Sequence, residues 1–339
     1  MIARLERGDA ASRDTVLSAR DLSVEVRTPT KWTRVVRDVS LELRRGEITA
    51  LVGETGSGKT MTALSLIRLL PVGVRLAGGT VRLGADELTS LPEAALMERR
   101  GSRISIVFQD PLAALNPVRT IGFQITEPMR VHLGIGQREA NARAAKLLGE
   151  LGMPDPVRTL QRYPHELSGG MRQRALMAVA LSCDPEVLLA DEPTTALDVT
   201  IQAQILELLR RTVDQRGLAV LLVTHDLGVA ALVADRLAVM YAGAIVESGP
   251  VLDVLRQPNH PYTRGLVGCV PRVDVRLRPL PTLPGGVQGV WDIAAGCRFA
   301  PRCAYAIDKC RELDPQLETV GPLHASACWV FAPPGRGSR

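Results

Sequence analysis

The octapeptide Gly53-Glu54-Thr55-Gly56-Ser57-Gly58-Lys59-Thr60 fits the pattern G-x-x-x-x-G-K-[ST]. Its glycines allow backbone N–H groups to wrap the β-phosphate of a nucleotide. The lysine reaches the β- and γ-phosphates, and the final hydroxyl ligates Mg²⁺. Two adjacent carboxylates, Asp191 and Glu192, close the apolar run 187–190. Asp191 is expected to hold Mg²⁺ through water, and Glu192 to polarise the attacking water as a general base. Ser168, Gly169 and Gly170 are expected to open a helix whose free amides form a second anion site. One nucleotide does not need two γ-phosphate sites in one chain. That second site therefore predicts service to a nucleotide held by a neighbouring subunit.

These groups need elements to aim them. Residues 22–26 alternate like a strand, and 48–52 form a buried strand that runs straight into the Gly-rich loop. A helix is expected to follow the loop and to stop at Pro71. Further buried strands are predicted at 104–110, 186–191 and 218–226, with a helix over 201–216 between the last two. Residues 111 to about 165 have Ala and Leu at helical spacing. Strands alternating with helices predict an α/β fold with a mostly parallel sheet. Buried parallel strands deliver side chains at their C-terminal ends, which brings the carboxylate pair beside the phosphate loop.

The chain has 339 residues and is 46% hydrophobic, enough for one large domain and a small one. The net charge of +5 arises after residue 255, where 11 Lys and Arg face 6 Asp and Glu. So local an excess gives no footprint for nucleic acid. The first fourteen residues are charged and carry no apolar signal core, and no apolar run approaches the roughly 18–20 residues of a membrane span. The expected location is the cytosol, or a membrane surface reached through partners. Cytosolic thiols stay reduced, so the six cysteines predict no disulfides.

The phosphate loop, Gln109 after the 104–108 run, the Leu-Ser-Gly-Gly-Met stretch at 167–171, Asp191-Glu192, the Ala-Leu-Asp at 196–198 and His225 come in the order found in ABC-transporter ATPase domains. The resemblance covers about residues 17–255. It implies that Gln109 senses Mg²⁺ and the attacking water, that His225 contacts the γ-phosphate, and that Asp198 couples two ATP sites across a head-to-tail dimer. It also implies a helical subdomain at about 103–178 that meets membrane subunits. Trp32 is the nearest candidate for an adenine-stacking ring, with a plain surface aromatic as the competing reading. Met171 stands where the commoner signature has glutamine.

The stretches 108–117, 167–174 and 190–206, the His-Pro-Tyr-Thr at 260–263, and the tail are similar to the oligopeptide/dipeptide (and nickel) importers. Such systems combine two ATPase subunits, identical or paralogous, with two permeases and an extracytoplasmic binding protein. Residues 1–16 are then expected to be a disordered N-terminus, 17–255 the ATPase domain, and 256–339 a Cys-bearing C-terminal extension. The resemblance implies a peripheral protein on the cytoplasmic face of a prokaryotic cell membrane. The alternatives are a soluble ABC ATPase acting on ribosomes or nucleic acid, an exporter ATPase, and an importer of nickel or another small solute.

In the tail, Cys297, Cys303, Cys310 and Cys328 are spaced by six, seven and eighteen positions. Four soft thiolates suit Zn²⁺ or an iron–sulfur cluster. The resembling family contains members with a [4Fe–4S] cluster in this extension, which makes that cluster the expectation and Zn²⁺ the alternative. Arg298, Arg302, Lys309 and Arg311 are expected to offset its charge. His324 is expected to be structural or to support a ligand, and Cys183 and Cys269 to be packed free thiols.

Overall fold

The computed structural model describes residues 14–195, 197–270, 283 and 295–331. The first sheet is built from β1 (Thr15–Arg27), β2 (Trp32–Arg44), β4 (Val74–Leu83) and the short β5 (Asp86–Glu87), in the order β2-β1-β4-β5. All its pairings are antiparallel. β1 begins at Thr15, so Thr15 and Val16 belong to a strand and not to the expected disordered leader. Residues 1–13 lie outside the described residues.

The second sheet has eight strands in the order β11-β12-β10-β9-β3-β8-β7-β6. They are β3 (Ile48–Val52), β6 (Ile104–Val107), β7 (Val187–Asp191), β8 (Ala219–Thr224), β9 (Arg236–Tyr241), β10 (Ala244–Pro250), β11 (Glu318–Gly321) and β12 (His324–Ser326). From β9 to β6 the neighbours are parallel, and from β9 outward to β11 they are antiparallel. The parallel strands are apolar on both faces, as a sheet covered on two sides requires. In β3, Ile48, Ala50 and Val52 enter one core while Leu51 enters the other.

The core around Leu51 fills the space between the two sheets and takes in Ala63 and Leu66 of α1 (Lys59–Leu66). The other core lies beneath the helices. α2 (Glu93–Arg99) leads to β6. A helical segment follows: α3 (Pro111–Ala114), α4 (Ile121–Leu133), α5 (Gln137–Glu150), α6 (Pro156–Thr159) and α7 (Gly169–Leu181). α8 (Val199–Arg216) and α9 (Leu227–Val233) flank β8, and α10 (Val251–Arg256), α11 (Pro261–Cys269) and α12 (Asp308–Glu312) complete the chain.

Two elements end earlier than their composition predicts. α1 stops at Leu66 because Arg68 turns into left-handed backbone with φ 51° and spends its guanidinium on the Leu88 and Leu91 carbonyls. β6 stops at Val107, and Asp110 caps α3 by accepting from the Leu112 N–H. The tail does not stand apart, because β12 pairs with β10 and extends the main sheet.

Candidate active site

Sheet order explains the convergence. β3, β8, β7 and β6 are consecutive parallel neighbours, so the residues after their C-terminal ends share one edge. The phosphate loop follows β3, His225 follows β8, Asp191 and Glu192 end β7, and Gln109 follows β6.

The phosphate loop depends on glycine at two points where a side chain has no room. A Cβ on Gly53 would meet the Met240 carbonyl oxygen at 2.2 Å. Gly58 caps α1 with φ 105°, which L-residues rarely adopt. Lys59 is buried, and its Nζ donates to the carbonyls of Gly53 (2.8 Å) and Glu54 (3.0 Å). Burial lowers its pKa, opposed by the charges of Glu192, Asp191 and Glu54. The Ser57 hydroxyl is buried and has no hydrogen-bond partner among the described residues. Gly56 has open space around it. A loop with an unspent donor, a caged ammonium and an open face fits a phosphate group.

Thr60 Oγ1 donates to Asp191 Oδ1 at 3.3 Å. Asp191 is buried, and desolvation raises its pKa against the opposing hydrogen bond from Thr60. Two hard oxygens beside a phosphate site fit Mg²⁺, which takes one or two protein oxygens together with phosphates and water.

Glu192 takes φ 45°, so the chain turns sharply at the end of β7 and projects this carboxylate away from the strand. Its Oε1 lies 3.1 Å from His225 Nδ1. Its Oε2 accepts from Gln109 Nε2 at 3.0 Å and from Thr195 Oγ1 at 2.9 Å. Burial alone would raise its pKa. The hydrogen bonds from His225 and Thr195, with the charges of His225 and Lys59, outweigh it and hold the carboxyl below the usual range. Thr195 carried no sequence signal of its own. Three residues after the carboxylate, it reaches back across the turn to donate to it.

The remaining sequence candidates lie elsewhere. Ser168 and Gly169 are exposed at the start of α7, and Ser168 Oγ accepts from the Met171 N–H at 3.4 Å. Gly170 is close-packed, since a Cβ there would stand 2.8 Å from Ile201 Cγ2. Asp198 is exposed and caps α8 by accepting from the Ile201 N–H at 2.9 Å. Ala196 lies outside the described residues. Trp32 is 38% exposed, and the Arg75 guanidinium covers its ring at 4.1 Å.

The expectation of a metal cluster in the tail is overturned. Among the described residues no group of three or more His, Cys, Asp or Glu side chains is placed to hold a metal ion. The iron–sulfur cluster and the alternative Zn²⁺ at Cys297, Cys303, Cys310 and Cys328 are therefore withdrawn. The thiols pack instead. Cys310 and Cys328 are buried, while Cys297 and Cys303 lie partly buried against the main core. Desolvation pushes Cys297 up to about 12 and Cys303 upward, so both are neutral thiols that behave as small apolar groups. Three of the four cations expected around a cluster are engaged otherwise. Arg302 pairs with Glu54, Arg298 bonds the Ala242 carbonyl and Asp314, and Lys309 lies over the Trp329 ring. His324 is structural, with Nε2 2.8 Å from the buried Glu247. Cys183 and Cys269 are free thiols, as expected.

Comparison with known proteins accords with this geometry. Residues 36–195 match the family model described as ABC transporter, and residues 246–310 match that of the oligopeptide/dipeptide transporter C-terminal region. A protein of Brucella melitensis, named as a peptide import ATP-binding protein, is 48% identical over 329 residues, covering 94% of this chain and 97% of its own. A protein of Sinorhizobium fredii, named as a peptide ABC transporter ATP-binding protein, is 47% identical over 318 residues, covering 93% and 95%. Among solved structures, the ATP-binding cassette MJ0796 in a dimeric post-hydrolysis state with ADP and Pi superposes with TM-score 0.63 at 25% identity, covering 69% of this chain and 98% of that one. The cbiO1 protein of Clostridium perfringens shares the fold, with TM-score 0.61 at 24% identity over 72% and 92% of the two chains. Phosphate loop, paired carboxylates and relatives agree: the chain is an ATPase that belongs to the ABC transporter ATP-binding family, in the group with the oligopeptide/dipeptide transporter C-terminal region.

Proposed function

We propose that this chain is the ATP-hydrolysing subunit that powers import of peptides across the cytoplasmic membrane as part of a multi-subunit ABC transporter. The observation that carries the reading is the union in one chain of a complete hydrolytic edge, with Lys59, Asp191, Glu192, Gln109 and His225, and the oligopeptide-type C-terminal region. No helix among the described residues is long and apolar enough to cross a membrane. The chain then works at the cytoplasmic face, bound to two permeases supplied with peptide by an extracytoplasmic binding protein. The alternative of a ribosome- or nucleic-acid-directed ATPase has no supporting observation.

In this mechanism the backbone amides of 53–60 cradle the phosphates and Lys59 leaves its carbonyls to meet the outer ones. Thr60, Asp191 and Gln109 would hold Mg²⁺, which would supply charge neutralisation for the phosphates. Glu192, kept ionised by its partners, takes the proton of the attacking water. Gln109 and His225 orient that carboxylate, and His225 would contact the γ-phosphate. Ser168 and Gly169 are exposed, with Gly170 half-buried beside them, which suits a site completed by a partner subunit, self or paralogue, in a head-to-tail dimer. Asp198, at the start of α8, couples the two sites.

The helical segment carries a groove of about 650 Å³ lined by Thr120, Phe123, Gln137, Ala142, Val157 and Gln161. This is where a permease loop docks. Co-purification from detergent-solubilised membranes tests the reading: permease subunits are expected with the tagged chain, and ribosomal proteins in their place would overturn it.

A further inference from the structure

The tail reaches back to the phosphate loop at a residue whose side chain the phosphate chemistry leaves unused. Glu54 is held at three points. Its N–H donates to Tyr262 Oη at 2.9 Å. Its carboxylate accepts both Arg302 Nη1 (2.8 Å) and Nη2 (3.0 Å). Its carbonyl accepts Lys59 Nζ. The Arg302 side chain is only 4% exposed. Tyr241, Tyr262 and Phe299 form a ring cluster in the same region, with centroids 4.7–5.5 Å apart, and Arg302 lies 5.8 Å from the Tyr241 ring centre.

A second strut runs parallel to the first. Arg298 Nη1 donates to the Ala242 carbonyl at 3.2 Å, and the neighbouring Gly243 N–H donates to the Ser57 carbonyl at 2.8 Å. The Glu54 half of the loop is thus tied directly to Tyr262 and Arg302 of the C-terminal region, and the Ser57 half indirectly, through the Ala242-Gly243 turn that Arg298 holds. That region is itself anchored away from the loop, through the β10–β12 pairing and the His324–Glu247 contact. Exposed ion pairs hold geometry weakly. A bidentate fork in a desolvated setting fixes both distance and orientation.

We propose that Arg302, assisted by Tyr262, is a positioning residue for the phosphate loop. It holds Glu54, and with it the carbonyl that cages Lys59, in the conformation that receives a nucleotide's phosphates. The C-terminal region thereby sets how tightly the chain binds ATP. This rests on the loop being the ATP site, not on the identity of the cargo.

The test uses the full-length chain, with a fluorescent ATP analogue in titration, and the assembled transporter in an ATPase assay. Arg302→Gln is expected to raise the analogue's Kd and the KM for ATP about tenfold while kcat changes much less. Arg302→Lys keeps the charge without the fork and should recover part of the loss. Glu54→Gln should weaken binding similarly, and the double variant should bind no worse than the weaker single one. A merely structural Arg302 would lower the Tm of Arg302→Gln and leave the Kd and KM for ATP of the folded variant at wild-type values, and that outcome overturns the proposal. Should Arg302→Gln fail to fold, Tyr262→Phe removes one hydroxyl and keeps the ring; wild-type affinity in that variant also overturns it. A wild-type chain that binds ATP but drives no peptide import would defeat the proposed function and leave this inference standing.

Discussion

His225 Nδ1 lies 3.1 Å from one carboxylate oxygen of Glu192, while the other oxygen takes Gln109 and Thr195. Three separate strand ends meet on a single carboxylate. Replacing that carboxylate by an amide preserves shape and removes the base. Glu192→Gln is expected to retain ATP binding, to accumulate the closed dimer, and to lose about 10²–10⁴ in hydrolysis rate. Single-turnover hydrolysis in the assembled transporter measures it, and near-normal turnover would refute the role of Glu192.

The two adjacent carboxylates are pushed in opposite directions, Asp191 up and Glu192 down. For Glu192 the folded state favours the charged form. Its contribution is present above the ordinary 4.5 and fades as pH falls through the lower folded value, so hydrolysis should keep its base throughout the neutral range. For Asp191 the folded state disfavours the charge. The penalty begins as pH rises through 3.8 and is complete above the raised value. Asp191→Asn should therefore raise the Tm of the nucleotide-free chain at pH 7 by on the order of 2 °C while abolishing Mg²⁺-dependent hydrolysis. The Tm gain should shrink toward pH 4. Scanning calorimetry over pH checks this, and a lower Tm at pH 7 would contradict it.

Ser168 is exposed and makes no hydrogen bond to the phosphate loop among the described residues. An acidic residue there would oppose the γ-phosphate of the partner's ATP and leave this chain's own loop intact. Ser168→Glu is expected to bind nucleotide normally as a monomer and to lose hydrolysis in the complex. Failure of the monomer to bind ATP would show that the residue does not act across a dimer.

Glu247 is fully buried, accepting the N–H groups of Asn259 and His260 as well as facing His324. His324→Ala removes one partner of a buried carboxylate. The expected loss is about 2 kcal/mol, the cost of an unmet hydrogen bond to a charged group. Denaturant unfolding measures it, and an unchanged midpoint would mean that the contact contributes nothing.

The placement of the edge was legible in part: the Gly-rich loop and the carboxylate pair follow apolar runs that read as strands, whereas Gln109 and His225 were named only through the family resemblance. β3 runs over Ile48–Val52 as predicted, and β7 and β8 start one residue inside their expected limits. The left-handed turn at Glu192 was not legible, since a backbone conformation set by tertiary contacts leaves no periodicity. Nor was the return of the tail, where Arg302 meets Glu54 across 248 positions. Cysteine spacing misled. Thiols that are spaced like ligands can also be small apolar groups in a segment with little other core, and Cys310 and Cys328 are buried in that way.

The central claim is that hydrolysis at this edge is harnessed to peptide import. Its most direct measurement is ATP hydrolysis and labelled-peptide uptake in proteoliposomes holding the chain with its co-purified ATPase partner and permeases, with and without peptide-loaded binding protein. The expected result is hydrolysis stimulated by the loaded binding protein, uptake that requires ATP, and loss of both with Glu192→Gln. Hydrolysis that ignores the loaded binding protein, or peptide uptake that persists with Glu192→Gln, would contradict the claim.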